Sequence, residues 1–187
     1  MKRLALFAVA LAIFGSLAIA DDFGKRSGTV TSALRMQLNK NPDQITAQDL
    51  ASVTSLKLPH IHLDAFEEGD FSGLINLKRL EFFSLFHRAG KKDAGPPAFT
   101  HRVFSTLPKL EELVITSDQL GTLPDDVFGS LPSLRVLVLT NVTLPHLPSS
   151  ILALPKLEEM VYDGKGMPKE EYELLKKTLG NKLKAKR

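Results

Sequence analysis

The chain contains no cysteine and no tryptophan among its 187 residues, and aromatic side chains make up only 7% of it. Without cysteine there is no disulfide to seal the fold, no thiolate nucleophile and no attachment point for a lipoprotein anchor. Scarce aromatics leave few flat platforms for stacking against sugars. No Gly-x-Ser-x-Gly elbow, phosphate loop or His-Glu-x-x-His occurs either, so the most recognisable catalytic machineries are missing and no enzyme is expected. Strong net charge is absent too. The formal +3 includes Lys2 and Arg3, and without them it falls to +1, so the pI near 9.1 carries no argument for a nucleic-acid partner.

One long apolar run is present. Lys2 and Arg3 precede an uncharged stretch from Leu4 to Ala20, which ends Ala18-Ile19-Ala20 before Asp21-Asp22. This is the pattern of a signal peptide with cleavage after Ala20, and the run is shorter than the roughly 20 residues of a membrane span. Its short basic start and Ala/Leu-rich centre look bacterial, so the expected location is secreted or periplasmic, with no transmembrane segment after cleavage.

A phrase then recurs four times: Phe71-x-x-Leu74-x-x-Leu77, Phe104-x-x-Leu107-Pro108-x-Leu110, Phe128-x-x-Leu131-Pro132-x-Leu134 and Ile151-x-x-Leu154-Pro155-x-Leu157. The last leucine of each opens a second pattern, Leu-x-x-Leu-x-Leu, and Val53 opens one more copy. The openings Val53, Leu77, Leu110, Leu134 and Leu157 are spaced by 24, 33, 24 and 23 residues. Alternation across Leu-x-Leu is the period of two expected of a short strand with one buried face. A further apolar position recurs as Phe66, Phe99, Leu123 and Leu147, the last two followed by Pro124 and Pro148. Regular units of this length stack into an elongated repeat protein, an architecture that exposes one broad surface and supplies no ready-made catalytic cleft.

From Val53 to Tyr162 the chain resembles the leucine-rich repeat family, in the form whose unit of about 24 residues joins Leu-x-x-Leu-x-Leu to Leu-Pro and Phe-x-x-Leu. The resemblance implies an α/β solenoid with a curved parallel β-sheet of about five strands lining its concave side. It also implies loops or short 3₁₀ turns outside. One column departs from the family: where Asn or Cys is usual, this chain has Ile61, Leu85, Asp118, Val142 and Lys165, and Asn141 misses the column by one. That Asn bonds the backbone of adjacent turns, so other groups are expected to pair those atoms here.

Both ends carry cap signals. Val30, Leu34 and Leu38 fall at helical spacing before a break at Asn39 to Pro42. Thr46 then precedes a second short helix, with Asp49 in its first turn. The stretch Ile45 to Val53 resembles the helical N-terminal caps of internalins. Downstream, Pro168 suits a first helical turn, Tyr172, Leu175 and Leu179 form a stripe, and Gly180 marks the stop. The expected organisation is a signal peptide over 1–20, a helical N-terminal cap over 21–52 and leucine-rich repeats over 53–163. A C-terminal capping helix and basic tail follow over 164–187. The tail holds Lys176, Lys177, Lys182, Lys184, Lys186 and Arg187, read either as a solvated, fraying helix end or as a contact for an anionic envelope surface.

By register, the outward strand positions are Ser55, Lys57, Pro59; Arg79, Glu81, Phe83; Glu112, Val114, Thr116; Val136, Val138, Thr140; and Glu159, Val161, Asp163. Val114, Val138 and Val161 align on three successive rungs, with Val136 beside them and Phe83 on the rung before, an apolar patch of the type that binds proteins. Lys57, Arg79, Glu81 and Glu112 surround it. The row Lys78, Glu111, Arg135 and Glu158 is expected to pair laterally with itself, because neighbouring strands lie about 4.8 Å apart. Five rungs of five residues make a face of roughly 400 Å², about half of the ~800 Å² per partner in a standard interface. The over-long unit supplies a candidate for more surface in its insert 86–97, including Lys91 and Lys92, or else a loop that has drifted.

His60, His62 and His87 are the nearest thing to a metal site, but no carboxylate stands at a convincing spacing, and neither metal nor cofactor is expected. Asn141-Val142-Thr143 is a glycosylation sequon that matters only in a eukaryotic source. The expected function is an exported, non-catalytic binding module that recognises a protein partner through the concave face and the inserted loop. The alternatives are a glycan- or peptidoglycan-binding protein and a structural protein of the cell envelope.

Overall fold

The computed structural model describes residues 26–59, 66, 68–83, 101–117 and 123–184. The leader, the insert with Lys91 and Lys92, His60, His62 and His87, and the positions Ile61, Leu85, Phe99 and Asp118 lie outside the described residues. In chain order the elements begin with α1 (Gly28–Leu38), α2 (Ala47–Ser52), β1 (Ser55–Pro59) and β2 (Arg79–Phe83). They continue with α3 (His101–Phe104), β3 (Glu112–Thr116), β4 (Val136–Thr140), β5 (Glu159–Val161), α4 (Lys169–Leu179) and β6 (Leu183–Lys184). The six strands form one parallel, unclosed sheet in the order β1-β2-β3-β4-β5-β6.

The repeated phrase folds as two consecutive tight turns. The amide of Leu74 donates to the carbonyl of Phe71 at 3.2 Å and that of Leu77 to Leu74 at 3.0 Å; Phe104-Leu107-Leu110 and Phe128-Leu131-Leu134 repeat the arrangement. Bonds from i+3 to i bring side chains at i, i+3 and i+6 nearly into line, so all three leave on the same side. Phe71, Leu74, Leu77, Phe104, Leu107, Leu110, Phe128, Leu131 and Leu134 are accordingly buried. Pro108 and Pro132 occupy the second position of the second turn, where a fixed φ near −65° is already correct, and their rings stay exposed. In the fourth copy Ile151 and Leu157 are buried while Leu154 is only half-buried.

Straight after each phrase the chain enters a strand and the period changes to two. Leu56 and Leu58, Leu80 and Phe82, Leu113 and Ile115, and Leu137 and Leu139 all point into the core at 1% exposure or less. Each such side chain contributes roughly 1.5–3 kcal/mol when fully buried. Phe82 replaces a leucine here, and it meets Phe66, Phe71 and Phe104 at ring centroid distances of 5.6, 6.3 and 6.5 Å. The over-long second unit is thus packed on an aromatic cluster.

The N-terminal cap closes the β1 edge. Ser27 caps α1, Val30 and Leu34 are buried one turn apart, and Asn39 ends the helix in the left-handed region at φ 50°. The side-chain amide of Gln37 donates to the carbonyl of Ser55 at 2.8 Å, fastening α1 to the first strand. Thr46 and Asp49 cap α2 reciprocally, each side chain accepting from the other's backbone amide at 3.2 and 2.9 Å. Arg26, itself buried, donates through Nε to the carbonyl of Asp70 at 3.1 Å and through Nη2 to the carbonyl of Ser72.

At the other end, Pro168 is the residue just before α4, one position earlier than the sequence suggests. Leu175 and Leu179 are buried, and Tyr172 packs edge-on against Tyr162. The basic tail differs from a fraying helix end: Gly180–Lys182 forms a 3₁₀ turn and Leu183–Lys184 pairs with β5 as a sixth strand. Leu183 packs against the core, which draws the chain back onto the sheet.

Other groups do the work of the missing Asn column. Val142 is wholly buried, so its position has turned from a polar bridge into core. Asn141 lies in the left-handed region at φ 57°, as does Gly164 at φ 77° one rung later, so this column provides chain reversal. Lateral bonds come from Ser150, whose hydroxyl accepts from the amide of Phe128 at 3.2 Å, and from Asn76, whose amide donates to the carbonyl of Ala51 at 2.8 Å.

Candidate binding face

The pairing register orders the open face of the sheet into three columns. Ser55, Arg79, Glu112, Val136 and Glu159 form the first; Lys57, Glu81, Val114, Val138 and Val161 form the second; Pro59, Phe83, Thr116 and Thr140 form the third. The outward residues expected on β1 to β4, with Glu159 and Val161 on β5, therefore stand on this face in straight register, while Asp163 lies beyond the end of β5.

The face divides into two chemically distinct halves. On β1 to β3, Arg79 bonds both Glu81 and Glu112, and Lys57 reaches Glu81 at 3.2 Å. Glu81 points outward yet is only 3% exposed, because the aliphatic stems and charged heads of its two cations close over it. Burial pushes its carboxyl up, but the hydrogen bonds from Arg79 and Lys57 outweigh that and hold it below its ordinary range. The bond to Glu81 in turn raises Arg79.

On β3 to β5 the same face is apolar. Val114, Val138 and Val161 follow one another in the second column and Val136 adjoins Val138 on its strand. All four are half-buried by their neighbours. Phe83, 38% exposed, stands in the third column opposite Thr116, and Glu81 is the residue in register with Val114, so the phenylalanine is a diagonal neighbour of the row. Thr116 and Thr140 bond each other through their hydroxyls at 2.8 Å, which leaves this margin less polar than two free hydroxyls would.

The neighbouring row of charges pairs laterally as its spacing predicts. Lys78 meets Glu111 at 3.0 Å and Arg135 meets Glu158 at 2.7 Å. The hydrogen bond raises Arg135 and lowers Glu158 from their ordinary values. The carbonyls of Lys78, Glu111 and Arg135 each accept two amides from the next rung, so this column also aligns the strands.

Among the described residues no group of three or more His, Cys, Asp or Glu side chains is placed to hold a metal. His101 and His146 sit beside Asp126 and Asp125, at 2.6 and 3.9 Å, as separate pairs. No helix of the described residues is long and apolar enough to cross a membrane.

Residues 108–162, which contain the valine row and its strands, match the family model described as Leucine rich repeat. The repeats within these residues are leucine-rich repeats. The open face lies on a six-stranded parallel sheet that is not closed, which fits a leucine-rich repeat solenoid-like fold. Two solved structures are similar to the chain. One is an internalin from Listeria monocytogenes, 13% identical, with 85% of this chain and 55% of that chain covered at a TM-score of 0.38. The other is a secreted internalin-like protein from Listeria monocytogenes, 16% identical, with 79% and 68% covered at a TM-score of 0.36. The chain thus spans little more than half the length of the first. No curated protein matches it. Leucine-rich repeat proteins generally mediate protein–protein recognition and are typically non-catalytic.

Two features of the face escape sequence reading. The burial of Glu81 depends on which cations stand on adjacent strands, and only the register reveals that. The groove between α1 and β1 requires the placement of the cap helix. Met36 is its one signal in the sequence, an apolar residue off the Val30–Leu34 stripe.

Proposed function

We propose that the chain is an exported, non-catalytic binding module whose leucine-rich repeats recognise a protein through the apolar half of the concave face. The reading rests on one observation: Val114, Val138 and Val161 stand in register on three adjacent strands, beside a charged half that is already paired within itself. Charges paired within the chain gain less from a partner than free ones would, whereas covering half-exposed valines removes apolar surface from water at about 25 cal/mol per Å². Export rests on the leader ending at Ala20, and the contribution of the insert with Lys91 and Lys92 rests on its Gly, Pro and Lys content. A glycan would call for aromatic platforms, and among the described outward positions Phe83 is the only aromatic.

The test is capture of binding partners by the processed chain and by a Val114→Lys/Val138→Lys variant, with thermal melts to verify folding. The variant is expected to lose the proteins that the parent retains. A folded variant that retains them all removes the valine row from the function.

A further inference from the structure

The concave face is small, and it continues beyond its first strand. A groove lined mainly by apolar atoms runs between α1 and β1, formed by Ala33, Met36 and Gln37 on the helix and by Ser55, Lys57 and Pro59 on the strand. Ser55, Lys57 and Pro59 are also the first rung of the concave face, so groove and face form one surface. Its floor is held by the bond from Gln37 to the carbonyl of Ser55. Met36 stands at its rim 84% exposed, the most exposed large apolar side chain of the described residues. The helix buries Val30 and Leu34 on its core side, so packing does not require an apolar residue at Met36.

Between groove and valine row, the surface presents cations. Lys57 is 66% and Arg79 42% exposed, while the Glu81 carboxylate they share is 3% exposed beneath them and that of Glu112, which Arg79 also bonds, is 28% exposed. A partner crossing this strip meets two positive heads before it reaches Val114. Strands about 4.8 Å apart place the row some 15–20 Å from the groove, the reach of five or six extended residues at about 3.3 Å each. An aromatic or other large side chain seated in the groove adds up to about 150–250 Å² to a face of roughly 400 Å², which by itself is only about half of a standard interface.

Resting on the concave-face reading above, we infer that the groove between α1 and β1 is the second anchor of that face. Its occupant is an extended protein segment carrying a large apolar side chain in the groove, another on the valine row and a carboxylate between them over Lys57 and Arg79.

The test uses a phage-displayed library of random twelve-residue peptides, selected on the processed chain, with each enriched peptide then measured against single variants by biolayer interferometry. The enriched peptides are expected to share two large apolar residues five or six apart with Asp or Glu between them. Met36→Glu and Val138→Lys are each expected to weaken binding at least tenfold, and Lys57→Glu severalfold. Met36 is largely exposed, so thermal melts of its variant should match the parent, whereas Lys57→Glu sets a second carboxylate beside the buried Glu81 and its binding is compared below its own lowered melting temperature. Peptides that respond to Val138→Lys but not to Met36→Glu overturn the second anchor and leave the concave-face reading standing. Peptides that respond to neither overturn both. If Met36→Glu instead converts a dimer to a monomer in light scattering, the groove takes a second copy of the chain, and the inferred occupant is wrong.

Discussion

Arg79 covers the carboxylate of Glu81, two residues further along the same strand, and Lys57 completes the cover from the strand before. The arrangement makes an acid on the open face behave as a core residue. Its two cations remain partly in water, so the acid and the bases respond differently to removal.

Replacing Glu81 by leucine takes away the buried charge together with its desolvation cost and leaves cations that can turn to solvent, so stability should change by less than about 1 kcal/mol. Replacing Arg79 by methionine leaves Glu81 buried with Lys57 alone and should destabilise by roughly 1–3 kcal/mol. Urea denaturation of both variants at neutral pH checks the asymmetry; equal losses would contradict it.

Asp49 titrates at about 2, held down by the hydrogen bond from Lys40 and then by the bonds from the Thr46 amide and hydroxyl. A depressed folded value means the stabilisation is complete above the ordinary carboxylate range near pH 4 and is lost as pH falls through about 2. Asp49→Asn should therefore cost roughly 0.5–2 kcal/mol at pH 7, the worth of a helix cap, and almost nothing near pH 2. Denaturation midpoints of parent and variant at the two pH values measure the difference.

Tyr162 is wholly buried, and burial is the main reason its phenol is pushed up to about 12; its hydroxyl donates to the carbonyl of Lys165 at 2.7 Å, which also favours the protonated form. A raised folded value keeps its contribution intact below the ordinary pH near 10 and removes it as pH rises through about 12. The chain has two tyrosines and no tryptophan, so in a Tyr172→Phe background the ultraviolet phenolate signal reports Tyr162 alone. It should appear near pH 12, accompanied by unfolding; a midpoint near 10 in folded protein would contradict the burial.

Gly166 sits at φ 79°, and an added Cβ would lie 2.2 Å from the Cγ2 methyl of Thr143. Gly166→Ala should cost roughly 1–3 kcal/mol from the left-handed backbone alone, with the clash in addition. Adding Thr143→Ser removes the methyl and should recover only the steric part. Thermal melts of the single and double variants separate the two contributions; full recovery would mean that the backbone is unstrained.

The repeat geometry was legible in the chain because it is local. Phe-x-x-Leu-x-x-Leu becomes two i+3 to i turns, proline presets the second, and Leu-x-Leu switches the chain to a strand within the next few residues. The caps were legible for the same reason, since Thr46 and Asp49 stand three residues apart. Less legible were Ser150 and Asn76, which bond to backbone more than twenty residues away and carry no local signal. The sixth strand was hidden as well, because two residues of alternating Leu and Lys look like a helix end until β5 is beside them.

By itself, the sequence determined the repeat, its register and the residues that line each face, because these follow from side-chain periodicity within one unit. Only the tertiary structure decided what those faces are chemically. Stacking the units set Lys57 and Arg79 over Glu81, brought the valines together in a row and placed α1 against β1 to open a groove. Each of these joins residues from different repeats or from a repeat and its cap. Their energies depend on the distances between stacked turns, which no single unit contains.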